Sequence, residues 1–264
     1  FTFMDILNFN GDLSRMQQSG GGETRISISS DDPSAAMMGM ANNTGINSTQ
    51  AGGLNYNDLL GKKTDLRSNY FFNRYNPYIE KELERQYLLP DSVYYYNQRS
   101  VSDNTNTGHR FNVSLEHRFD SLTSIKISPS LSLQNTQVRS ATSYETLSGT
   151  KMLTNNGFSL IESDANGYSF RNDILFRKKF ARKGRTFSLG LQHSLNGSDG
   201  DGLQESINSF YEPNGSLYRK DSINQSNLTS SSLHGYSARA VYTEPLGKRM
   251  LMEFSAGKSS TKTS

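Results

Sequence analysis

The 264-residue chain has no cysteine, no tryptophan and only 6 prolines. Without cysteine there is no disulfide framework, thiolate metal centre or cysteine nucleophile. No stretch approaches the roughly 18 consecutive apolar residues of a membrane-spanning helix. That excludes an ordinary transmembrane helix but not a membrane barrel, whose signal per strand is far weaker. Net charge is also scarce, at +3, and the Lys and Arg residues are scattered rather than gathered into a stripe, so nucleic acid is not an expected partner. The opening residues, FTFMDILNFN, lack a basic region followed by an apolar core. No signal peptide is read there, and the chain is expected to be an interior piece of a longer one. Hydrophobic residues make up 33%, which is thin for a soluble core, whereas 14 Phe and 14 Tyr argue against simple disorder.

What the chain does have is alternation. In RFNVSLEHRF, Phe111, Val113, Leu115 and, past His117, Phe119 share one face, opposite Arg110, Asn112, Ser114, Glu116 and Arg118. In SIKISPSLSL, Ile125, Ile127, Leu131 and Leu133 share a face, with Pro129 in register and Ser124, Lys126, Ser128, Ser130 and Ser132 opposite. A period of two means strands, and the polar residues 120–123 between them predict a short hairpin. Proline cannot donate to a ladder, so a bulge is predicted at Pro129.

The same design returns around DLLGKK, RKKFARKGR and TEPLGK, with turn centres near Leu60, Asp120, Arg182 and Leu246, roughly 60 residues apart. Leu54 and Tyr56 precede Leu66, Tyr70 and Phe72; Phe170, Ile174 and Phe176 precede Phe187, Leu189 and Leu191; Ala238, Ala240 and Tyr242 precede Met250, Met252, Phe254 and Ala256. The connections at the opposite ends are long, spanning about 76–107, 139–166 and 196–234, with turn signals PDS at Pro90, NNG at Asn155 and PNG at Pro213. They predict strands prolonged beyond the main sheet into flexible hairpins. Residues 1–47 are expected to form one more outer loop, 48–257 four hairpin repeats and 258–264 the start of a further loop.

Short turns on one rim and long loops on the other characterise bacterial outer-membrane barrels. A soluble sandwich also alternates. Three features favour the barrel: loops longer than compact domains usually carry, a Ser/Asn/Arg/Glu/Lys face suited to a wet lumen, and aromatics near strand ends (Phe71, Phe72, Phe119, Phe180, Tyr242). The predicted fold is all-β, an antiparallel transmembrane β-barrel portion of about eight meandering strands. They close alone or form an arc of a larger barrel. Leu115, Phe119, Ile125, Ile127, Leu131 and Leu133 are predicted to face lipid, and Glu116, Arg118, Lys126, Ser128, Ser130 and Ser132 the lumen.

Several ordered phrases, AGGLNYNDLLGKKTDLRSNYFFNRYN, LLPDSVYYYNQ, HRFNVSLEHRFDSLTSIKISPSLSLQN, GYSFRNDILFRKKFARKGRTFSLGLQ and EPLGKRMLMEF, together with FTFMDILNFNG, carry a resemblance. Across nearly its whole length the chain resembles the outer-membrane β-barrel family of Bacteroidetes related to TonB-dependent receptors. That resemblance implies an outer-membrane receptor or transporter barrel taking up an unidentified substrate with energy from TonB. A plug and regulatory domain would precede such a barrel, and neither is visible in this chain. The implied partners are outer-membrane lipid, a TonB complex reached through N-terminal segments absent here, and an unknown extracellular ligand. The alternative is a structural or adhesive surface barrel without transport.

No catalytic, cofactor or metal site is expected, and no enzyme. His109, His117, His193 and His234 lie far apart in predicted strands; a His117–His193 metal pair is weighed against ordinary satisfied strand residues and set aside. Asp65 and Glu116 meet only through folding, which makes no acid–base argument. SDGDGLQES, Ser198 to Ser206, lacks calcium-loop spacing and is expected to be a solvated outer loop. KFARKGR, Lys179 to Arg185, is expected at a turn, and Gly20 to Gly22 lack the strand–turn–helix setting of a phosphate loop. The aromatic run YYYNQR gives the candidate ligand-contacting outer loop, Tyr94, Tyr95, Tyr96 and Arg99, because tyrosine offers an apolar body and a polar tip.

Overall fold

The computed structural model describes residues 45–90, 92–247 and 250–263. These form one antiparallel meander of eight strands in sequence order: β1 (Ile46–Leu60), β2 (Thr64–Leu89), β3 (Ser92–Arg118), β4 (Thr123–Ser148), β5 (Leu153–Lys179), β6 (Thr186–Tyr211), β7 (Leu217–Pro245) and β8 (Leu251–Thr263). The sheet is open, since β1 and β8 pair only with β2 and β7. Nothing among the described residues packs over either face as a second layer. Among the described residues Tyr75, 6% exposed, is the one buried hydrophobic side chain. The ladder, rather than a core, holds this molecule.

Alternation divides the side chains as expected. One face, the apolar face, carries Leu66, Leu115, Ile127, Ile174, Leu191 and Ala238 in a single cross-strand row. The other, the amide face, carries Ser, Asn, Thr and Gln with charges near the lower rim, where the turns after β1, β3, β5 and β7 lie. The predicted groupings of Leu115, Ile125, Ile127, Leu131 and Leu133, and of Glu116, Lys126, Ser128, Ser130 and Ser132, each fall on one face.

The apolar face has a sharp upper limit. The row Phe72–His109–Leu133–Tyr168 is followed two residues higher by Arg74–Thr107–Asn135–Asn166. On β4 the apolar stretch runs over residues 125–133, which at ~3.3 Å per residue is about 25–30 Å of strand. The strands are also sheared against the lower rim. The row Leu60–Thr64–His117–Ile125–Phe176–Leu189–Ala240–Ala256 starts on the last residue of β1 and enters β8 five positions past its first residue (251 to 256). Five residues at ~3.3 Å over seven gaps of ~4.8 Å is a tilt of about 25–30°.

Strands β2–β7 run 26 to 29 residues each. The long upper segments are therefore continuous ladder right up to tight turns, where flexible hairpins were expected. Ser198–Ser206, expected as a loop, lies within β6. Its small polar residues are satisfied across strands, Ser230 Oγ donating to Asp199 at 2.6 Å and Ser198 meeting Ser231 at 2.9 Å. Likewise 258–263, expected to begin a loop, continues β8 against β7. Residues 1–44 of the expected 1–47 loop lie outside the described residues, Gly20 to Gly22 among them, and β1 begins at Ile46.

Turn signals succeeded at Pro90 and Pro213 and failed at Asn155. There the turn comes earlier, at 149–152, with Lys151 at φ 64° and the Met152 N–H donating to Ser148 Oγ at 3.1 Å. Gly157 stays in strand because Tyr144 lies over it, and Tyr168 covers Gly197 in the same way. A cross-strand tyrosine ring replaces the side chain that each glycine lacks. Side chains help close turns: Asp120 Oδ1 accepts the Leu122 N–H at 2.6 Å, and Asn214 Oδ1 the Ser216 N–H at 2.8 Å beside Gly215 at φ 83°.

Pro129 produces no bulge. The β3–β4 register is the same on both sides of it, Asn112 opposite Ser130 and Leu115 opposite Ile127, while the two intervening pairs drop out. Its pairing with Asn172 on β5 is intact. A strand residue directs its N–H and C=O to one neighbour only, so a proline opens one ladder and spares the other. Pro77 repeats this, opening β2–β3 while facing Asn47 on β1. Pro129→Val is expected to restore the missing donor, worth about 1 kcal/mol. A raised unfolding temperature of the full-length protein checks it.

The lower rim is tied by Glu244, beyond the last apolar-face aromatic, Tyr242. Arg185 donates to both its carboxylate oxygens at 2.7 Å, Arg182 to one at 2.8 Å, and the Tyr242 hydroxyl at 2.6 Å. The hydrogen bonds from Arg185, then that from Tyr242, hold the carboxyl down to about 2 from its ordinary 4.5. A depressed acid contributes stability above its unfolded pKa and loses it as pH falls through the folded one. Pepsin cleavage at the 180–185 turn is expected to rise between pH 4.5 and 2, and Glu244→Gln to remove that dependence.

Candidate functional site

Strict alternation splits the candidate quartet. Tyr94 and Tyr96 project on the amide face, Tyr95 and Arg99 on the opposite one. All four are strand residues of β3 rather than loop residues, since 92–118 pairs with both neighbours. Tyr95 lies beneath Lys151, with Nζ 4.1 Å from the ring centre, and Arg99 is engaged by Glu80.

On the amide face the structure assembles a different group. Tyr94 stacks on Tyr87 of β2 with centroids 4.6 Å apart, and Tyr96 on Tyr144 of β4 at 5.7 Å. The Tyr144 hydroxyl donates to Asn208 Oδ1 on β6 at 2.6 Å, reaching across Gly157 on β5. Tyr96 donates to Gln98 at 2.8 Å, Gln98 in turn to Ser100 at 3.1 Å, and Ser100 meets Thr142 at 2.9 Å. The rings are half-buried, leaving surface to the open side. Tyr144, Tyr87, Asn208 and Gly157 were missed in the sequence. They are remote along the chain, and only the hairpin registers bring them beside Tyr94 and Tyr96. The parity that separates Tyr95 from its neighbours was readable.

The two faces of this upper wall differ in charge. On β3–β6, over 92–108, 134–148, 153–167 and 198–211, the amide-face positions contain no Asp, Glu, Lys, Arg or His. Every charged residue of those segments projects on the other face, among them Arg99, Glu145, Glu162, Asp164, Asp201 and Glu205. There a trough of about 560 Å³ runs past Glu82, Glu84, Asn97, Arg99 and Glu145. Asn97 donates to Glu145 at 3.0 Å, and Arg99 is taken by Glu80, so its polar groups already serve one another.

The remaining candidates stay apart or are satisfied. Asp65 and Glu116 do face each other across β2–β3, but Arg67 pairs with the first at 2.8 Å and Arg177 with the second at 2.9 Å. His117 meets Thr64 Oγ1 at 2.8 Å, and His109 the Tyr70 hydroxyl at 2.9 Å. His117 and His193 stand three strands and four residues apart, about 20 Å at ~4.8 Å per strand and ~3.3 Å per residue, too far to share an ion. No metal-holding group of three or more His, Asp or Glu occurs among the described residues. On the apolar face Asn172 Oδ1 and His193 Nε2 are buried without partners, opposite each other, with Tyr236 stacked on His193 at 4.6 Å. Lys179–Arg185 ends β5 and forms the lower turn, as expected.

Comparison with known proteins gives no matching family model and no matching curated protein. Among solved structures, the chain is similar to a structure of the RagAB peptide importer in the open-open state, at 10% identity and TM-score 0.38, over 99% of this chain and 39% of that one. It is also similar to the siderophore receptor PiuA from Acinetobacter baumannii, at 8% identity and TM-score 0.16, over 82% of this chain and 50% of that one. The chain thus spans no more than half the length of either.

Replacing Gly157 by Ala would put a Cβ 2.5 Å from both the Tyr144 ring and Asn208 Oδ1. The ring must swing away, and the Tyr144–Asn208 bond is expected to break. A shift of the Tyr144 resonance in 3-fluorotyrosine-labelled protein, with the Tyr94 resonance unmoved, checks it.

Proposed function

We propose that this chain is a wall segment of an outer-membrane β-barrel that receives a ligand from outside and admits it along a wet lumen. The observation that carries the reading is the apolar band, confined to one face, limited in height and present on successive strands. A width of seven strand gaps at ~4.8 Å and a height of ~20–25 Å make it on the order of 700–850 Å². Monomeric soluble proteins seldom expose a patch above about 300–600 Å². Lipid is the covering that suits a single-layer sheet, because a bilayer core demands backbone pairing within the protein and an apolar exterior. In that setting the amide face lines the lumen, its lower Arg177–Glu116, Arg67–Asp65 and Arg171–Asp173 pairs standing in water.

The unpaired edges of β1 and β8 require partners in lipid. Further strands of a longer protein supply them on this reading, making the eight strands an arc. Strands of 26 to 29 residues reach about 85–95 Å. At the tilt of about 25–30° given by the register, they rise roughly 50–60 Å above a ~25 Å apolar band. The ligand-contacting wall then stands outside the membrane. Uptake energised by TonB, through a plug preceding the barrel, is the finer form of this proposal. A plug and TonB-contacting segment in the full-length protein would support it, and their absence would leave an adhesive surface barrel.

The experiment is heat-modifiable gel migration of the full-length protein folded in detergent. Ile127→Arg, within the apolar band, is expected to cost about 2–4 kcal/mol and reduce the folded band. Ser128→Arg, on the amide face opposite Asp173, is expected to leave it intact. Equal tolerance of both, or folding without detergent, would sink the reading.

A further inference from the structure

The upper amide face has a chemistry of its own, and what it omits is as informative as what it holds. We propose that it binds a neutral, hydroxyl-rich ligand, an uncharged oligosaccharide. The inference rests on the barrel reading for its access from outside and deepens it by naming the class of ligand.

Three observations converge. First, the wall of β3–β6 above the apolar band is free of ionised side chains on this face alone, while the same four strands place all their charge on the other. A general shortage of charge would have thinned both faces, so the neutrality belongs to the face rather than to the composition. Second, the face combines half-exposed rings with amides and hydroxyls: Tyr87, Tyr94, Tyr96 and Tyr144 beside Gln98 and Asn208. Sugar rings present C–H surfaces that lie on aromatic faces, and hydroxyls that both donate and accept. Amides and hydroxyls answer in both senses, whereas a guanidinium only donates and a carboxylate only accepts. Third, the rings are fixed in advance. Tyr144 is tethered to Asn208 and stacked on Tyr96, and Tyr94 is stacked on Tyr87, so little side-chain freedom is lost on binding.

The same face disfavours other ligands. An anion such as a siderophore carboxylate or a phosphate would find no cation along β3–β6 to offset its lost hydration. The charged amide-face residues of the upper wall stand at its flanks, Lys81 and Arg85 on β2, and Arg219 paired with Asp221 on β7. A charged peptide would likewise leave its termini and side chains unpaired over the centre.

The test uses full-length protein folded in detergent, with heat-modifiable migration measured on the same preparation. Its probes are an array of neutral oligosaccharides (glucan, mannan and xylan hexamers), the acidic polygalacturonate hexamer, and a Ser/Gly-rich uncharged peptide. Binding to at least one neutral hexamer, above the acidic hexamer and the peptide, is expected. Tyr96→Ala with Tyr144→Ala is expected to weaken it at least tenfold. Tyr96→Phe with Tyr144→Phe keeps the rings and is expected to remain within about threefold. Glu162→Gln with Asp201→Asn, on the opposite face, should change affinity less than twofold.

A heat-modifiable protein that prefers the acidic hexamer or the peptide, or binds none of the probes, overturns the ligand assignment and leaves the barrel standing. So does neutral-hexamer binding that is indifferent to the double alanine variant. A protein that folds without detergent and shows no heat-modifiable form overturns the barrel and the ligand reading with it.

Discussion

Hydrogen bonding between neighbouring strands carries this sheet, because the described residues include no second layer to do so. Strands β3–β6 share their N–H and C=O groups between two neighbours along nearly their whole length, and few of the described side chains lie buried beneath others. That constraint explains several local choices. Inside the strands, Pro77 and Pro129 are tolerated as one-sided gaps that leave the register unchanged. Gly157 and Gly197, inside strands, are covered by tyrosines from the adjacent strand. Side chains of Asp120, Ser148 and Asn214 help close their turns.

A wall held by its backbone leaves its two faces free to differ. The lower half contrasts apolar with polar, and the upper half contrasts charged with neutral. The changeover on the apolar face takes a single step along the strand, from Leu133 and Tyr168 to Asn135 and Asn166. On the proposed reading that step is the membrane boundary, and the upper wall meets water on both sides. Charge on the outward side then keeps a tall, thin sheet soluble, while its absence inward shapes what can bind. The ion pairs themselves are exposed, and surface pairs contribute roughly 0–1 kcal/mol each. They matter here for their placement.

How far the sequence reached can be judged at particular residues. Ile125, Ile127, Leu131 and Leu133 announced their shared face through period two, and the turns near Leu60, Asp120, Arg182 and Leu246 through their polar breaks. Where local signals compete with cross-strand pairing, the reading failed. NNG at Asn155 looked like a turn, yet a ladder partner and an overlying tyrosine keep it extended. Ser198–Ser206 looked like a loop for want of apolar residues, but strand pairing needs backbone groups and tolerates small polar side chains. Pro129 was rightly seen as a break, and its form was misjudged because a bulge and a one-sided gap look alike in one dimension.

The amino-acid order by itself determined the strands, their faces and the lower turns, since those depend on spacing within a dozen residues. It also set the neutrality of the upper amide face, visible once the parity is followed. Only the tertiary structure decided which tyrosines meet. Tyr94 and Tyr96 find Tyr87, Tyr144 and Asn208 through registers fixed over two hairpins, and a slip of one residue would send each ring to the opposite face. The separation of Tyr95 and Arg99 from that group has the same cause. Position along a strand was written locally, and neighbourhood across strands was not.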